Sequence, residues 1–151
     1  MEQKFEIKDV ESLEVAYLLY KGHISGAQKE FPNIFKSIGG EIMGSPFIIY
    51  RNIDQNTKIG EFELCMPSNV SPIGYGVGKK KLPSFKALSI IHEGSYDTMD
   101  ETYMRIRNYI EKNKIEITGI FWEIFIKGPS PIFKGDPNKY ITEIIFPLVE
   151  R

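Results

Sequence analysis

The 151-residue sequence lacks the residues that mark several classes of protein. It has one cysteine, Cys65, which can form no internal disulfide and has no neighbouring cysteine for a metal site. Its two histidines, His23 and His92, are not spaced as metal ligands, so we expect no metal and no cofactor. With 19 basic and 20 acidic residues and no long run of one sign, the chain has no general field that would attract nucleic acid.

Long apolar runs are also missing. The first residues, MEQKFEIKDVESLE, mix charges where a signal peptide needs an apolar segment. No uninterrupted apolar run approaches the roughly 20 residues of a membrane span. A hydrophobic content of 42% is nevertheless enough for a core. We therefore expect a single cytoplasmic domain over residues 1–151, without a membrane segment.

An internal repeat is the most informative feature that is present. When residues 17–38 are placed over residues 89–110, Gly22 falls on Gly94. Four apolar residues of the first segment then superpose on four of the second with the i, i+4, i+7, i+11 spacing of one helix face. These pairs are Ala27 and Met99, Phe31 and Tyr103, Ile34 and Ile106, and Ile38 and Ile110.

Apolar segments of strand length flank each helix. One precedes each helix and two follow it, at 14–22, 46–52 and 60–67 in the first half and at 86–94, 119–129 and 139–150 in the second. The repeat predicts an α+β fold of duplicated β-α-β-β units with pseudo-twofold symmetry. We expect antiparallel sheets with both helices on one face and a ligand cleft on the other.

The boundaries of the two halves follow from the repeat. Half one covers about 1–67 and half two about 83–151. Residues 68–82 between them are rich in Gly, Pro, Ser and Lys, which is typical of a surface linker. Its three lysines, 79–81, are predicted to lie in a solvated loop.

The candidate site starts from Glu123, an acid in the middle of an apolar strand segment. Strand alternation places Glu123 on one face with Phe121 and Phe125, while Trp122 lies on the other face, which we assign to the helices. The repeat places Ile49 at the position in the first half that Glu123 has in the second, and Phe47 lies on the same strand face as Ile49. The expected result is an apolar and aromatic cleft with one acid at its floor.

Burial of this acid has an electrostatic consequence. Desolvation raises the pKa of a carboxyl unless a cation or a hydrogen-bond donor compensates. A cationic aromatic ligand would interact both with the acid and with the ring faces. The structural alternative is that Glu123 pairs with Arg51 or a lysine and only positions strands.

Five segments together resemble one family, the gyrase-inhibitor-like small-molecule-binding domain. The same domain forms the effector-binding part of multidrug-responsive transcription activators of the AraC and MerR types. The segments are IIHEGSYDTMDETYMRIRNYI, GIFWEIFIKGP, DPNKYITEIIFPL, MGSPFIIY and EFELCMP. The resemblance implies a twofold β-α-β-β fold with a hydrophobic cleft for aromatic and cationic compounds, in which the glutamate matching Glu123 lies.

The resemblance also extends the expected ligand-binding set. Tyr96 belongs to the Gly-x-Tyr stretch before the second helix, although it could instead be a hydrophobic staple. Ile145 stands where many relatives have a tyrosine, and Phe125 replaces another tyrosine. Some members hydrolyse strained cyclopropane compounds with the acid and a nearby tyrosine, for which Tyr50, Tyr96 or Tyr140 are the candidates here.

Three functions therefore remain. The first is a standalone domain that binds aromatic or cationic small molecules, for sensing, transcription regulation or sequestration, with Glu123 as counter-charge. The second is a hydrolase of strained electrophiles with Glu123 as general base. The third is a protein-interaction module with a partner such as gyrase. No recognition helix remains outside the repeat, so we expect no direct DNA binding.

Overall fold

The computed structural model describes residues 4–128 and 135–150. Their backbone forms one eight-stranded antiparallel sheet, whose strands lie in the order β1-β6-β8-β7-β3-β4-β2-β5. Residues 1–3 and 151 at the ends of the predicted domain, and Pro129 at the end of a predicted strand, lie outside the described residues. The strands are β1 (Phe5–Val10), β2 (Leu13–His23), β3 (Phe47–Ile53), β4 (Ile59–Pro67), β5 (Gly78–Leu82), β6 (Phe85–Glu93), β7 (Phe121–Lys127) and β8 (Ile141–Pro147).

The helices follow β2 and β6, as the repeat predicts. In the first half, α1 (Ile24–Ala27) continues through a 3-10 turn into α2 (Phe31–Ser37). Pro32 lies in the first turn of α2, where its missing N–H leaves no helical hydrogen bond unmade. In the second half, a 3-10 turn at Tyr96–Thr98 leads into α3 (Met99–Lys112). The α+β class and the two helical segments are confirmed.

The two superposed glycines support the repeat independently. Gly22 and Gly94 both have positive φ, at +148° and +115°. Side chains rarely adopt this conformation, so the same backbone bend recurs where each strand gives way to its helix.

The repeating unit contains one strand more than the sequence indicated. β1 pairs with β6 of the other half, and β5 pairs with β2 of the first half. Each half therefore has the order β-β-α-β-β and gives its first strand to its partner. The prediction that lysines 79–81 lie in a loop is wrong, because they form most of β5.

Equivalent ion pairs accompany the exchanged strands. Lys8 on β1 pairs with Glu143, and Lys80 on β5 pairs with Glu63. Arg51 adds a second cation to Glu63 at 3.0 Å. Glu63 and Glu143 are both buried, so these cations compensate charges that would otherwise be costly to desolvate.

Both faces of the sheet are covered by apolar residues. On one face, the helices pack over two clusters that contain Ile34 of α2 and Ile106 of α3. On the other face, Val15 near one edge and Ala87 near the other share a cluster with Trp122. Neighbouring strands lie about 4.8 Å apart, so contact between such distant strands requires the sheet to curl around this second core.

Candidate functional site

Glu123 lies at the centre of the sheet, on the junction between the two halves. It is on β7, where it pairs with Ile48 of β3 on one side and Ile144 of β8 on the other. Directly paired residues of an antiparallel sheet point to the same face, so Glu123 shares a face with these two core residues. Only 8% of its surface is exposed.

Two tyrosine hydroxyls donate hydrogen bonds to the Glu123 carboxyl. Tyr50 of β3 donates to Oε1, and Tyr103 of α3 donates to Oε2. The donors therefore come from both halves of the chain. The alternative that Arg51 pairs with Glu123 is wrong, since Arg51 pairs with Glu63, and no lysine or arginine within residues 4–128 and 135–150 forms a salt bridge with Glu123.

Burial controls the protonation of this group. Desolvation raises the pKa of Glu123, and the hydrogen bonds from Tyr103 and Tyr50, together with the electrostatic interaction with His92, offset only part of that rise. Burial, together with the nearby Glu123 carboxylate, also raises the pKa of Tyr50 and of Tyr103 well above the usual tyrosine range. Both hydroxyls therefore stay protonated and available as donors at neutral pH.

Aromatic rings surround the carboxyl on the helix side of the sheet. Phe121 stacks on Tyr50 with ring centroids 4.6 Å apart and lies edge-on to Tyr103 at 5.6 Å. Phe146 stacks on the other side of Phe121 at 5.4 Å. These contacts fix the two tyrosines, because their rings pack against neighbours that are themselves buried or half-buried.

A second group of rings adjoins the first around Phe125. Phe31 of α2 contacts Phe125 edge-on at 6.2 Å, and Tyr96 contacts it at 5.9 Å. Tyr96 also packs on Tyr140 at 5.2 Å. Burial, the neighbouring Tyr140 and the charge of Glu123 raise the pKa of Tyr96 to about 12. The charge of Glu123 therefore reaches this second group of rings through Tyr96.

The predicted site residues divide between the two faces. Glu123, Phe121, Phe125 and Tyr96 lie together on the helix side. Three others pack with Trp122 on the opposite side: Phe47, Ile49 and Ile145. The expectation that the helices cover the Trp122 face is wrong, because the helices pack on the same side as Glu123.

The placement of Ile49 and Phe47 beside Glu123 arises from a one-residue slip in the repeat. Glu63 and Glu143 correspond in the two final strands, so Leu64 corresponds to Ile144. Leu64 pairs with Ile48 as Ile144 pairs with Glu123. Ile48, not Ile49, is thus the counterpart of Glu123, and a slip of one residue moves every side chain of a strand to the other face.

Tyr103 belongs to the candidate site, although the sequence did not indicate it. It lies on the apolar face of α3 at the position equivalent to Phe31, so helical periodicity describes it as a core residue. Its only distinguishing signal is a hydroxyl where the other half has a plain ring. A polar atom at a predicted core position requires a buried partner, and Glu123 provides one.

Comparison with known proteins now identifies the family. The profile of the GyrI-like small molecule binding domain matches residues 3–149. The chain belongs to the GyrI-like family. Its fold and its class, a small-molecule-binding domain, are those that the sequence resemblance implied. A search of curated proteins gives no match.

Solved structures share this GyrI-like fold at low sequence identity. The EcmrR C-terminal domain is 22% identical, with a TM-score of 0.82 and full coverage of both chains. EcmrR in a complex with DNA is 21% identical, with a TM-score of 0.83. That match covers 99% of this chain but only 58% of the EcmrR chain. A hydrolase from Listeria innocua is 12% identical, with a TM-score of 0.71 over 97% of this chain and 92% of that one.

Another structure with a similar fold was solved with a ligand. SAV2435 bound to tetraphenylphosphonium is 13% identical, with a TM-score of 0.58, and the match covers 97% of this chain and 94% of that one.

The described part of this chain contains neither a candidate metal site nor a candidate membrane-spanning helix. No group of three or more His, Cys, Asp or Glu residues there could hold a metal, and no helix there is long and apolar enough to cross a membrane.

Proposed function

We propose that the protein binds lipophilic aromatic cations between its helical segments, with Glu123 as the counter-charge. The observation that supports this most directly is the environment of the Glu123 carboxyl. It is buried, it accepts two tyrosine hydroxyls, and among the described residues no lysine or arginine forms a salt bridge with it, so that His92 is the basic residue with which it interacts electrostatically. A bound cation would supply the missing charge, and a buried charge gains most from a partner in a medium of low dielectric constant.

The rings supply the rest of the binding energy. Phe121, Phe125 and Tyr96 present apolar ring surface beside the acid, and ring faces attract cations when water is excluded. The rings contact one another, so a ligand must displace at least one of them to reach the carboxyl. The tetraphenylphosphonium bound to SAV2435 has the chemistry that such a site would accept: one delocalised positive charge inside an aromatic shell.

The test compares two probes of nearly the same shape and opposite charge. Isothermal titration calorimetry would measure tetraphenylphosphonium and tetraphenylborate on the wild-type protein, on Glu123→Gln and on Glu61→Gln. Glu61 is an exposed acid paired with Lys21 and serves as the matched control. Glu123→Gln should weaken the cation by about 10-fold or more, the range for a charge-assisted contact, and should not weaken the anion.

Other outcomes of this titration select between the remaining functions. An equal loss for both probes would contradict the counter-charge role. If neither probe binds the wild-type protein, the small-molecule proposal is wrong for this chemistry. The protein-interaction function would then be favoured.

One arrangement favours hydrolysis as a second candidate. Tyr50 and Tyr103 place two hydroxyls on the Glu123 carboxyl, so the acid and tyrosine combination implied by the family resemblance is present although Phe125 is not a tyrosine. Glu123 would accept a proton from water as the water oxygen bonds to a carbon of a strained three-membered ring. A ring C–C bond at that carbon breaks at the same time, and the departing carbon takes the proton back from Glu123, so that one water adds across the bond. Mass spectrometry would detect a product heavier by one water, and Glu123→Gln should abolish it while leaving binding measurable.

A further inference from the structure

Thr142 of β8 carries a buried hydroxyl that nothing in the described chain satisfies. Its side chain is fully buried, and Oγ1 has no hydrogen-bond partner among residues 4–128 and 135–150. Among the described residues, it is the one buried side-chain oxygen or nitrogen atom that makes no hydrogen bond. Native proteins pair nearly all such groups, because an unpaired buried hydroxyl lowers stability.

The register places Thr142 next to the candidate site. Thr142 pairs with Phe125 of β7 on one side and with His92 of β6 on the other, so the three side chains share one face. Glu123 lies on the same face, because it pairs with Ile144 two residues farther along β8. Diagonal neighbours of this kind are about 7–8 Å apart in an antiparallel sheet.

The polar neighbour of Thr142 is already occupied. His92 Nδ1 lies 2.7 Å from Thr102 Oγ1, and its Nε2 lies 2.9 Å from the Ser95 carbonyl oxygen. Both ring nitrogens are therefore engaged within the second half of the chain. The Thr142 hydroxyl has an engaged histidine on one side and the apolar ring of Phe125 on the other.

Tyr96 packs against two residues that neighbour Thr142. Its ring contacts Phe125 and Tyr140, which flank Thr142 across and along the sheet. Tyr96 is only half-buried, and it follows Gly94, whose φ is +115°. A ligand that displaces the Tyr96 ring would bring its own atoms over Thr142.

We infer that Thr142 is a second anchoring point of the site, and that the ligand is a cation with a neutral hydroxyl or carbonyl at the end of one arm. The cation lies over Glu123, and the polar end of the arm hydrogen-bonds to Thr142 Oγ1. This inference rests on the proposed function. It narrows the ligand class from lipophilic cations in general to those with one polar arm, because a purely apolar arm would leave the hydroxyl unpaired.

Two phosphonium probes of the same size test the inference. One is triphenylphosphonium with a 4-(hydroxymethyl)phenyl arm, and the other has a 4-ethylphenyl arm, so that they differ only by hydroxyl against methyl. Calorimetry on wild-type protein, Thr142→Val and Thr142→Ser gives the ratio of the two Kd values. The hydroxymethyl probe should be preferred by the wild-type protein and by Thr142→Ser, and Thr142→Val should reduce that preference roughly three- to tenfold.

Thermal unfolding of the unliganded proteins provides a second readout. Thr142→Val should unfold at a higher temperature than the wild type, because it replaces an unpaired buried hydroxyl by a methyl group of the same size. A clearly lower unfolding temperature would overturn the inference. So would an unchanged Kd ratio in Thr142→Val while both probes bind, a result that would leave the counter-charge role of Glu123 intact. Failure of both probes to bind the wild-type protein would overturn the proposed function, and this inference with it.

Discussion

The Tyr50 hydroxyl donates to Glu123 Oε1 across the junction between the two halves of the chain. The two residues lie on β3 and β7, the central pair of the sheet, and are 73 residues apart in sequence. The acid therefore acquires its environment only when the halves join. A ligand bound there would contact both halves, so its binding energy would also stabilise their association.

Glu123 is expected to lower the stability of the unliganded protein at neutral pH. Burial raises the pKa of Glu123 above its ordinary value of 4.5, so in the window between the two values the folded state retains a proton that the unfolded state releases. The free energy of unfolding therefore falls as the pH rises through that window. Glu123→Gln has no such group and should be at least as stable as the wild type at pH 8.

Urea unfolding of both proteins at pH 4, 6 and 8 measures this effect. The informative quantity is the difference in free energy of unfolding between wild type and Glu123→Gln, because titrating groups that do not interact with Glu123 cancel in it, which leaves Glu123 and its interaction with His92. A difference that is constant across the three pH values would contradict the raised pKa.

Removal of either tyrosine hydroxyl should weaken cation binding. Tyr50→Phe and Tyr103→Phe each remove one donor that favours the ionised carboxyl, so the pKa of Glu123 rises further and less of the protein carries the charge at pH 7. We expect a loss of roughly three- to tenfold in affinity for tetraphenylphosphonium. The loss should shrink at higher pH, where the carboxyl ionises in the variants too.

Tyr109→Phe is the control for these two variants. Tyr109 stacks on Phe5 with ring centroids 4.0 Å apart, and the hydroxyls that donate to Glu123 are those of Tyr50 and Tyr103. Its affinity for the cation should equal that of the wild type at every pH. The same loss in Tyr109→Phe would mean that the effect is general and does not pass through the carboxyl.

Substitutions on the two faces of the central strands should have different effects: those on the Trp122 face should lower stability, and those on the Glu123 face should weaken binding. Ile49→Ala removes a buried side chain from the cluster around Trp122 and should cost about 2–5 kcal/mol in free energy of unfolding. It should leave the Kd for tetraphenylphosphonium unchanged. Phe125→Ala should raise that Kd, because Phe125 lies among the rings on the Glu123 side. Denaturant unfolding and calorimetry on both variants test this, and a weaker Kd in Ile49→Ala would restore Ile49 to the site.

Lys80 and Lys81 should differ in their effect on stability. Lys80→Met leaves the buried Glu63 with Arg51 alone and should cost about 1.5–3 kcal/mol. Lys81→Met changes an exposed residue next in the same strand and should alter the free energy of unfolding by less than about 0.5 kcal/mol. Equal effects in urea unfolding would indicate that the segment does not hold Lys80 against Glu63.

Much of the fold could be predicted from the sequence because its signals are local. Helical spacing from Ala27 to Ile38 and from Met99 to Ile110 marks the two helical segments, and Gly22 and Gly94 mark where each begins. Apolar segments between turn residues predict six of the eight strands, which are β2, β3, β4, β6, β7 and β8. β1 and β5 were missed because they are short, charged edge strands that pair with the opposite half, and such pairing leaves no local pattern.

The sequence by itself determined that an acid would lie in an apolar strand beside two phenylalanines, since strand alternation depends only on the chain. Tertiary structure alone decided which face the helices cover, because both faces of β7 are apolar enough to be buried. It also brought Tyr50 and Tyr103 to Glu123, and it left the Thr142 hydroxyl without a hydrogen-bond partner among residues 4–128 and 135–150. Those relations depend on the register between distant strands, where a slip of one residue exchanges the two faces.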